Sequence, residues 1–137
     1  MRVKFNGRRK ARLVAGGNHN EAPAEDIYSG VVGIESIRLG FLLARLNDLQ
    51  VCTADIVNAF LYGRTRERVF IRAGREFGPK VAGSLMIIDK GLYGLKSSSA
   101  RFHEHFSAKL RTMGYLPSKA DPDFCVKDCG THYEYIA

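Results

Sequence analysis

The spacing of hydrophobic and polar residues changes period several times along the 137-residue chain, and each change marks an element. Lys10 to Ala15, KARLVA, alternates charge with apolar side chains at the two-residue period of a half-exposed strand. Gly16, Gly17 and Asn18 end that run, and a polar loop is predicted from His19 to Ser29. From Ile34 to Leu46 the spacing becomes helical, with Ile34, Ile37, Phe41, Ala44 and Leu46 along one stripe. Asn47 and Asp48 stop it. Val51 to Asp55 then reads as a buried strand, and the chain turns near Tyr62 and Gly63.

The second half follows the same logic. Arg64 to Arg68 is predicted as a charged connector, Val69 to Arg72 as a short strand and Gly74 to Gly83 as an irregular loop. Ser84 to Asp89 predicts another strand. A helix follows from Ser98 to Met113, with Phe102, Phe106, Leu110 and Met113 as its apolar stripe, Ser97 to Ser99 as N-caps and Gly114 beyond its end. Past a turn-rich stretch from Pro117 to Pro122, Phe124 to Lys127 and His132 to Ala137 form a hairpin around Asp128, Cys129 and Gly130. No segment repeats and none is of low complexity.

The run from Val51 to Gly63, VCTADIVNAFLYG, carries a single carboxylate, Asp55, among uncharged residues. A buried strand is an expensive place for an unpaired charge, so an acid there needs a partner. Two readings stand: a carboxylate capping the next turn, or a ligand for a metal ion.

Composition bounds the rest. The length suits one domain, 45% hydrophobic residues suffice for a core, and 26% charged residues suit a soluble surface. No run approaches the ~18 apolar residues of a membrane span, and the basic N-terminus does not resemble a secretory signal. The expectation is an intracellular protein, cytoplasmic, nuclear or in a virus-like particle, with no membrane partner. Cys52, Cys125 and Cys129 make an odd count that argues against a disulfide framework. Cys125, Cys129 and His132 lack a fourth ligand at zinc-site spacing, and His103 and His105 cannot share one helical face. The net charge of +7 is concentrated: Arg2, Lys4, Arg8, Arg9, Lys10 and Arg12 occupy the first twelve positions without an acid. Such a block points to a polyanion, nucleic acid or nucleotide phosphate, or to a solvated basic tail.

Five blocks in order resemble the reverse transcriptase of copia-type LTR retrotransposons: KARLVAGG, SGVV with IRLGFLLA, TADIVNAFLYG, GLYGLKSSSARFHEHF and GYLPSKADPDFCV. The resemblance spans nearly the whole chain. It implies an α/β (α+β) fold with part of the fingers (1–32 and 64–90) and part of the palm (33–63 and 91–137), an antiparallel palm sheet and packed helices. It implies that Asp55 is the first metal-binding carboxylate, with Ile56 beside it at the metal. Nucleotidyl transfer puts charge on the attacking 3′-oxygen and the leaving pyrophosphate, and two Mg²⁺ ions ~3.5–4 Å apart neutralise both. Acids on strands ~4.8 Å apart can share such ions; one carboxylate cannot hold two.

By the same resemblance Ile56 and Val57 lie beside the incoming deoxynucleotide triphosphate. Phe60 matches the aromatic gate that leaves no room for a ribose 2′-hydroxyl, with plain core packing as its other reading. Lys10 and Arg12 suit the triphosphate, or are surface charges. Tyr93 and Gly94 flank the nucleotide pocket, Gly94 permitting close backbone approach. Arg8, Arg9 and Lys96 fall to the RNA or DNA primer–template.

Two departures bear on activity. The family's Tyr-x-Asp-Asp motif does not occur in the chain, and Asp121, Asp123 and Asp128 precede its expected position. Ser97 to Ser99 replaces a run that often carries Gly or Pro in its third place. The expectation is a polymerase fragment, ending before the second catalytic motif, that does not polymerise by itself. A non-catalytic nucleic-acid-binding remnant, or a decayed transposon fragment, is the alternative.

Overall fold

The computed structural model describes residues 2–3, 5, 7, 9–10, 12–16 and 27–137. Residues 19–26 of the polar loop predicted at 19–29 lie outside the described residues. Two compact units emerge, each from discontinuous sequence: 1–28 with 58–102, and 29–57 with 103–137. Within the first unit the Gly91 N–H donates to the Gly63 carbonyl (2.8 Å).

The first unit is built on two antiparallel pairs. Strands β1 (Arg2–Val3) and β2 (Arg9–Lys10) form a short ribbon. Strands β3 (Arg64–Arg72) and β4 (Leu85–Lys90) form the larger one, joined by a loop containing a 3₁₀ turn at Arg75–Phe77. Strand β3 is longer than expected, because Arg64 to Arg68 belong to it. Exposure alternates at a period of two: Arg64, Arg66, Arg68, Phe70 and Arg72 are exposed, while Thr65, Glu67, Val69 and Ile71 turn inward. The register shifts between Arg64 and Val69, where the Thr65 hydroxyl donates to the Ile88 carbonyl (2.9 Å). Among the described residues, Ala15, Val69, Ile88 and Leu95 form a buried cluster, with Ile71 and Leu92 against it. Burying each of the branched side chains is worth about 1.5–3 kcal/mol relative to exposure.

The second unit packs helix α1 (Ile34–Leu46) with the sheet β5 (Leu116–Pro117), β6 (Cys125–Asp128), β7 (Tyr133–Ile136), antiparallel in that order. Helix α2 is Ser98–Thr112. Both helices and the hairpin lie where periodicity predicted them. Cys125 and Phe124 are buried, and the Phe124 ring stacks on Tyr135 (5.7 Å between centroids). The predicted stripe of α1 is rotated, however. Ile34, Phe41 and Leu46 are exposed, and the inward face runs through Ile37, Gly40 and Ala44. A Cβ on Gly40 would lie 3.1 Å from the Phe124 ring, so the residue without a side chain takes the contact and turns its bulky neighbour outward.

The start of α1 is capped from a distance. Gly33 offers no side chain, and the Asp121 carboxylate accepts the Gly33 N–H (2.8 Å) and the Ser36 hydroxyl (2.6 Å). It supplies the anion that a helix N-terminus favours. The Ser36 hydroxyl first, then the Gly33 N–H, hold Asp121 below the usual carboxylate range. A lowered folded value stabilises the fold fully above the unfolded value, ~3.9, and that stabilisation is lost as pH falls through the folded one. Asp121→Asn is therefore expected to lower the melting temperature at neutral pH, with the difference from the parent closing on acidification. A difference unchanged at acid pH in thermal melts would exclude the carboxylate as its source.

Candidate functional site

In the first unit, the segment after β4 brings several of the predicted residues together. Ser98, nearly fully buried, accepts the Leu92 N–H (2.9 Å) and donates to the Leu92 carbonyl (2.7 Å), fixing the turn that carries Tyr93. The serine run thus holds this turn from inside. The Tyr93 carbonyl accepts the Ala15 N–H (2.7 Å), and Val14 and Tyr93 form a parallel bridge. Gly94, at φ 93°, makes the docking possible: a Cβ there would overlap the Ala15 carbonyl oxygen. At Gly94 the protein's own chain makes a close approach.

This docking sets three side chains side by side. The Arg12 guanidinium lies 5.2 Å from the centre of the Tyr93 ring, and Phe60 meets the same ring edge-on (4.9 Å, 65°). Phe60 belongs to a 3₁₀ turn at Ala59–Tyr62 and is half-buried; Tyr93 and Arg12 are exposed. Lys96 is exposed in the same segment. Lys10 and Arg9 contribute backbone to β2, while their side chains and Arg8 lie outside the described residues.

The second unit corrects the reading of Val51 to Asp55. No strand forms there, and every residue from Val51 to Val57, Asp55, Ile56 and Val57 included, is exposed. A strand needs a partner to take its N–H and C=O groups, and among the described residues none pairs with this stretch. Apolar and β-branched composition alone does not supply one. The cost of burying an unpaired acid, which made Asp55 conspicuous, therefore does not arise. What remains is a carboxylate held in the open, next to the Ile56 carbonyl.

These are hard oxygen donors of the kind Mg²⁺ prefers. Among the described residues, Asp55 belongs to no cluster of three ligating side chains. The other nearby-looking acids in sequence are committed elsewhere. Asp121 caps α1, Asp123 is paired with His103, and Asp128 accepts the Gly130 N–H (2.7 Å) in the hairpin turn. Among the described residues this donor set is one carboxylate and one backbone carbonyl, hard donors that suit Mg²⁺ but fall short of the carboxylates two ions need.

Antiparallel sheets with helices, and this order of motifs, are consistent with a partial α/β domain of the reverse-transcriptase kind. The family model described as reverse transcriptase (RNA-dependent DNA polymerase) matches residues 2–136, and the chain belongs to that family. Over 120 residues it is 33% identical to the retrovirus-related Pol polyprotein from transposon TNT 1-94 of Nicotiana tabacum, which bears out the copia-type resemblance. That match covers 84% of this chain and 9% of the tobacco polyprotein, so the chain spans only a small part of its relative's length. No solved structure matches it. Among the described residues, no helix is long and apolar enough to cross a membrane.

Proposed function

We propose that this chain supplies the deoxynucleotide pocket and the first metal-binding carboxylate of an RNA-directed DNA polymerase from a copia-type retrotransposon. The observation that carries the reading is the meeting of Arg12, Phe60 and Tyr93 in one unit, on segments 48 and 33 residues apart in sequence. The Asp55 carboxylate and Ile56 carbonyl would hold one face of the metal site. Two Mg²⁺ ions, when bound, neutralise charge on the attacking and leaving oxygens.

The remaining work falls to the chain's own side chains. A cation over an exposed ring is worth about 0.5–1 kcal/mol, and a hydrogen bond to a charged group about 1.5–3. A triphosphate therefore draws Arg12 from Tyr93, and the ring keeps the guanidinium extended until then. Lys10 joins it at the phosphates. Arg8, Arg9 and Lys96 take primer–template phosphates by long-range attraction that weakens with salt. Phe60 is braced by Tyr93 and closes the space a 2′-hydroxyl would need.

The brace makes the gate testable. Phe60→Val in a polymerase carrying this domain should reduce discrimination against ribonucleotides by about 10–100-fold, with deoxynucleotide incorporation far less affected. Single-nucleotide extension with matched ribo- and deoxynucleotides measures the ratio. An unchanged ratio would reduce Phe60 to a packing residue and remove the gate from the proposal.

A further inference from the structure

The hairpin β6–β7 gathers a second set of ligating groups, unrelated to Asp55. Its register pairs Lys127 with Glu134 and Asp128 with Tyr133, and the Cys129 N–H donates to the His132 carbonyl (2.9 Å) across the turn. Residues paired across an antiparallel ladder share a face, and so do residues two apart along a strand. Cys129 and His132 therefore lie on the face of Lys127 and Glu134, while Asp128 and Tyr133 lie on the other. Gly130, at φ 81°, lets the turn close between the cysteine and the histidine. One ligand atom each from Cys129, His132 and Glu134 lies within 4.8 Å of the other two.

We propose that this hairpin binds one borderline-soft divalent cation, Zn²⁺ in the first instance, through the Cys129 sulfur, a His132 ring nitrogen and the Glu134 carboxylate. Tetrahedral zinc places such ligands ~3.3–3.7 Å apart, so modest rotations of half-buried and exposed side chains complete the site. A thiolate and an imidazole select zinc over magnesium, which separates this ion from the one at Asp55. The supporting contacts are already made. The Tyr115 hydroxyl donates to Glu134 Oε2 (2.7 Å), and the Thr131 hydroxyl lies 3.1 Å from His132 Nδ1. Such outer contacts orient ligands. The Lys127 ammonium, 3.6 Å from Glu134 Oε2 and 5.2 Å from the Tyr115 ring centre, is an opposing charge on this face, and its long stem lets it swing towards that ring when the carboxylate turns to metal. The ion would staple turn to strand and keep a fourth position for water.

Cobalt(II) tests it, because a cysteine ligand gives a sulfur-to-cobalt charge-transfer band that oxygen and nitrogen ligands do not. The full chain, reduced and free of chelator, should develop that band with one ion per chain, and Zn²⁺ should bleach it. Cys129→Ser should abolish it; His132→Asn and Glu134→Gln should each weaken binding at least ~10-fold. Cys52→Ser and Cys125→Ala should leave it intact. Cys129→His guards against misfolding: it should retain one Zn²⁺ by calorimetry while losing the cobalt band. No band, a band that survives Cys129→Ser, one that depends on Cys52 or Cys125, or one ion shared by two chains would each overturn the site.

Discussion

Asp55→Asn, in a polymerase carrying this domain, is expected to lower the rate of deoxynucleotide addition by on the order of 10³-fold or more while primer–template affinity stays within about threefold. Asparagine keeps the shape and one carbonyl oxygen but removes the charge that a hard cation requires. The exposure of Asp55 makes this a clean experiment. An exposed side chain with no packing role changes stability little when replaced by its isostere, so a lost rate cannot be blamed on a lost fold. Pre-steady-state extension of a primer at saturating Mg²⁺ reads the rate, and filter binding reads the affinity. A rate within tenfold of the parent would remove Asp55 from the chemistry. The sheet of the second unit makes the same point from the other side, because Asp121, Asp123 and Asp128 are each engaged in holding the fold together.

What could be read from the sequence was what depends on near neighbours. Helix α1, helix α2, strand β4 and the β6–β7 hairpin rest on periodicity and turn residues within a few positions, and they stand where those signals put them. The extension of β3 back to Arg64 was hidden because alternating arginines look like a connector until one notices that only every second position is charged outward. Val51 to Asp55 fails for the opposite reason. Its composition suits a strand, but pairing is a property of two segments, and a β-rich run without a partner stays exposed. Distance along the chain hid the rest. The cap on Gly33 comes from Asp121, 88 residues away, and nothing local announces it. The Cys129, His132 and Glu134 group was missed because the cysteines were weighed with Cys125. That residue is buried, and Glu134 joins the group only through the hairpin register.

Gly94→Ala is expected to destabilise the first unit by about 2–4 kcal/mol, enough to threaten a unit whose core cluster, among the described residues, includes Ala15 itself. Two costs add. An L-residue at φ 93° is strained by about 1–2 kcal/mol, and the new methyl would run into the Ala15 carbonyl oxygen. Gly78 separates them, because it sits at φ 88° with nothing within 4 Å of where its Cβ would be. Gly78→Ala carries the strain alone, so the excess for Gly94→Ala measures the docking of Val14–Ala15 on Tyr93. Relief of the overlap must move Ala15, and Arg12 moves with it off the Tyr93 ring. Urea unfolding of both variants reads the stability difference. In a polymerase carrying the domain, Gly94→Ala should also raise the KM for deoxynucleotides, whereas Gly78→Ala should not. Equal destabilisation by the two alanines would mean that no close approach exists at Gly94, and the support for Arg12 and Phe60 as parts of one nucleotide pocket would go with it.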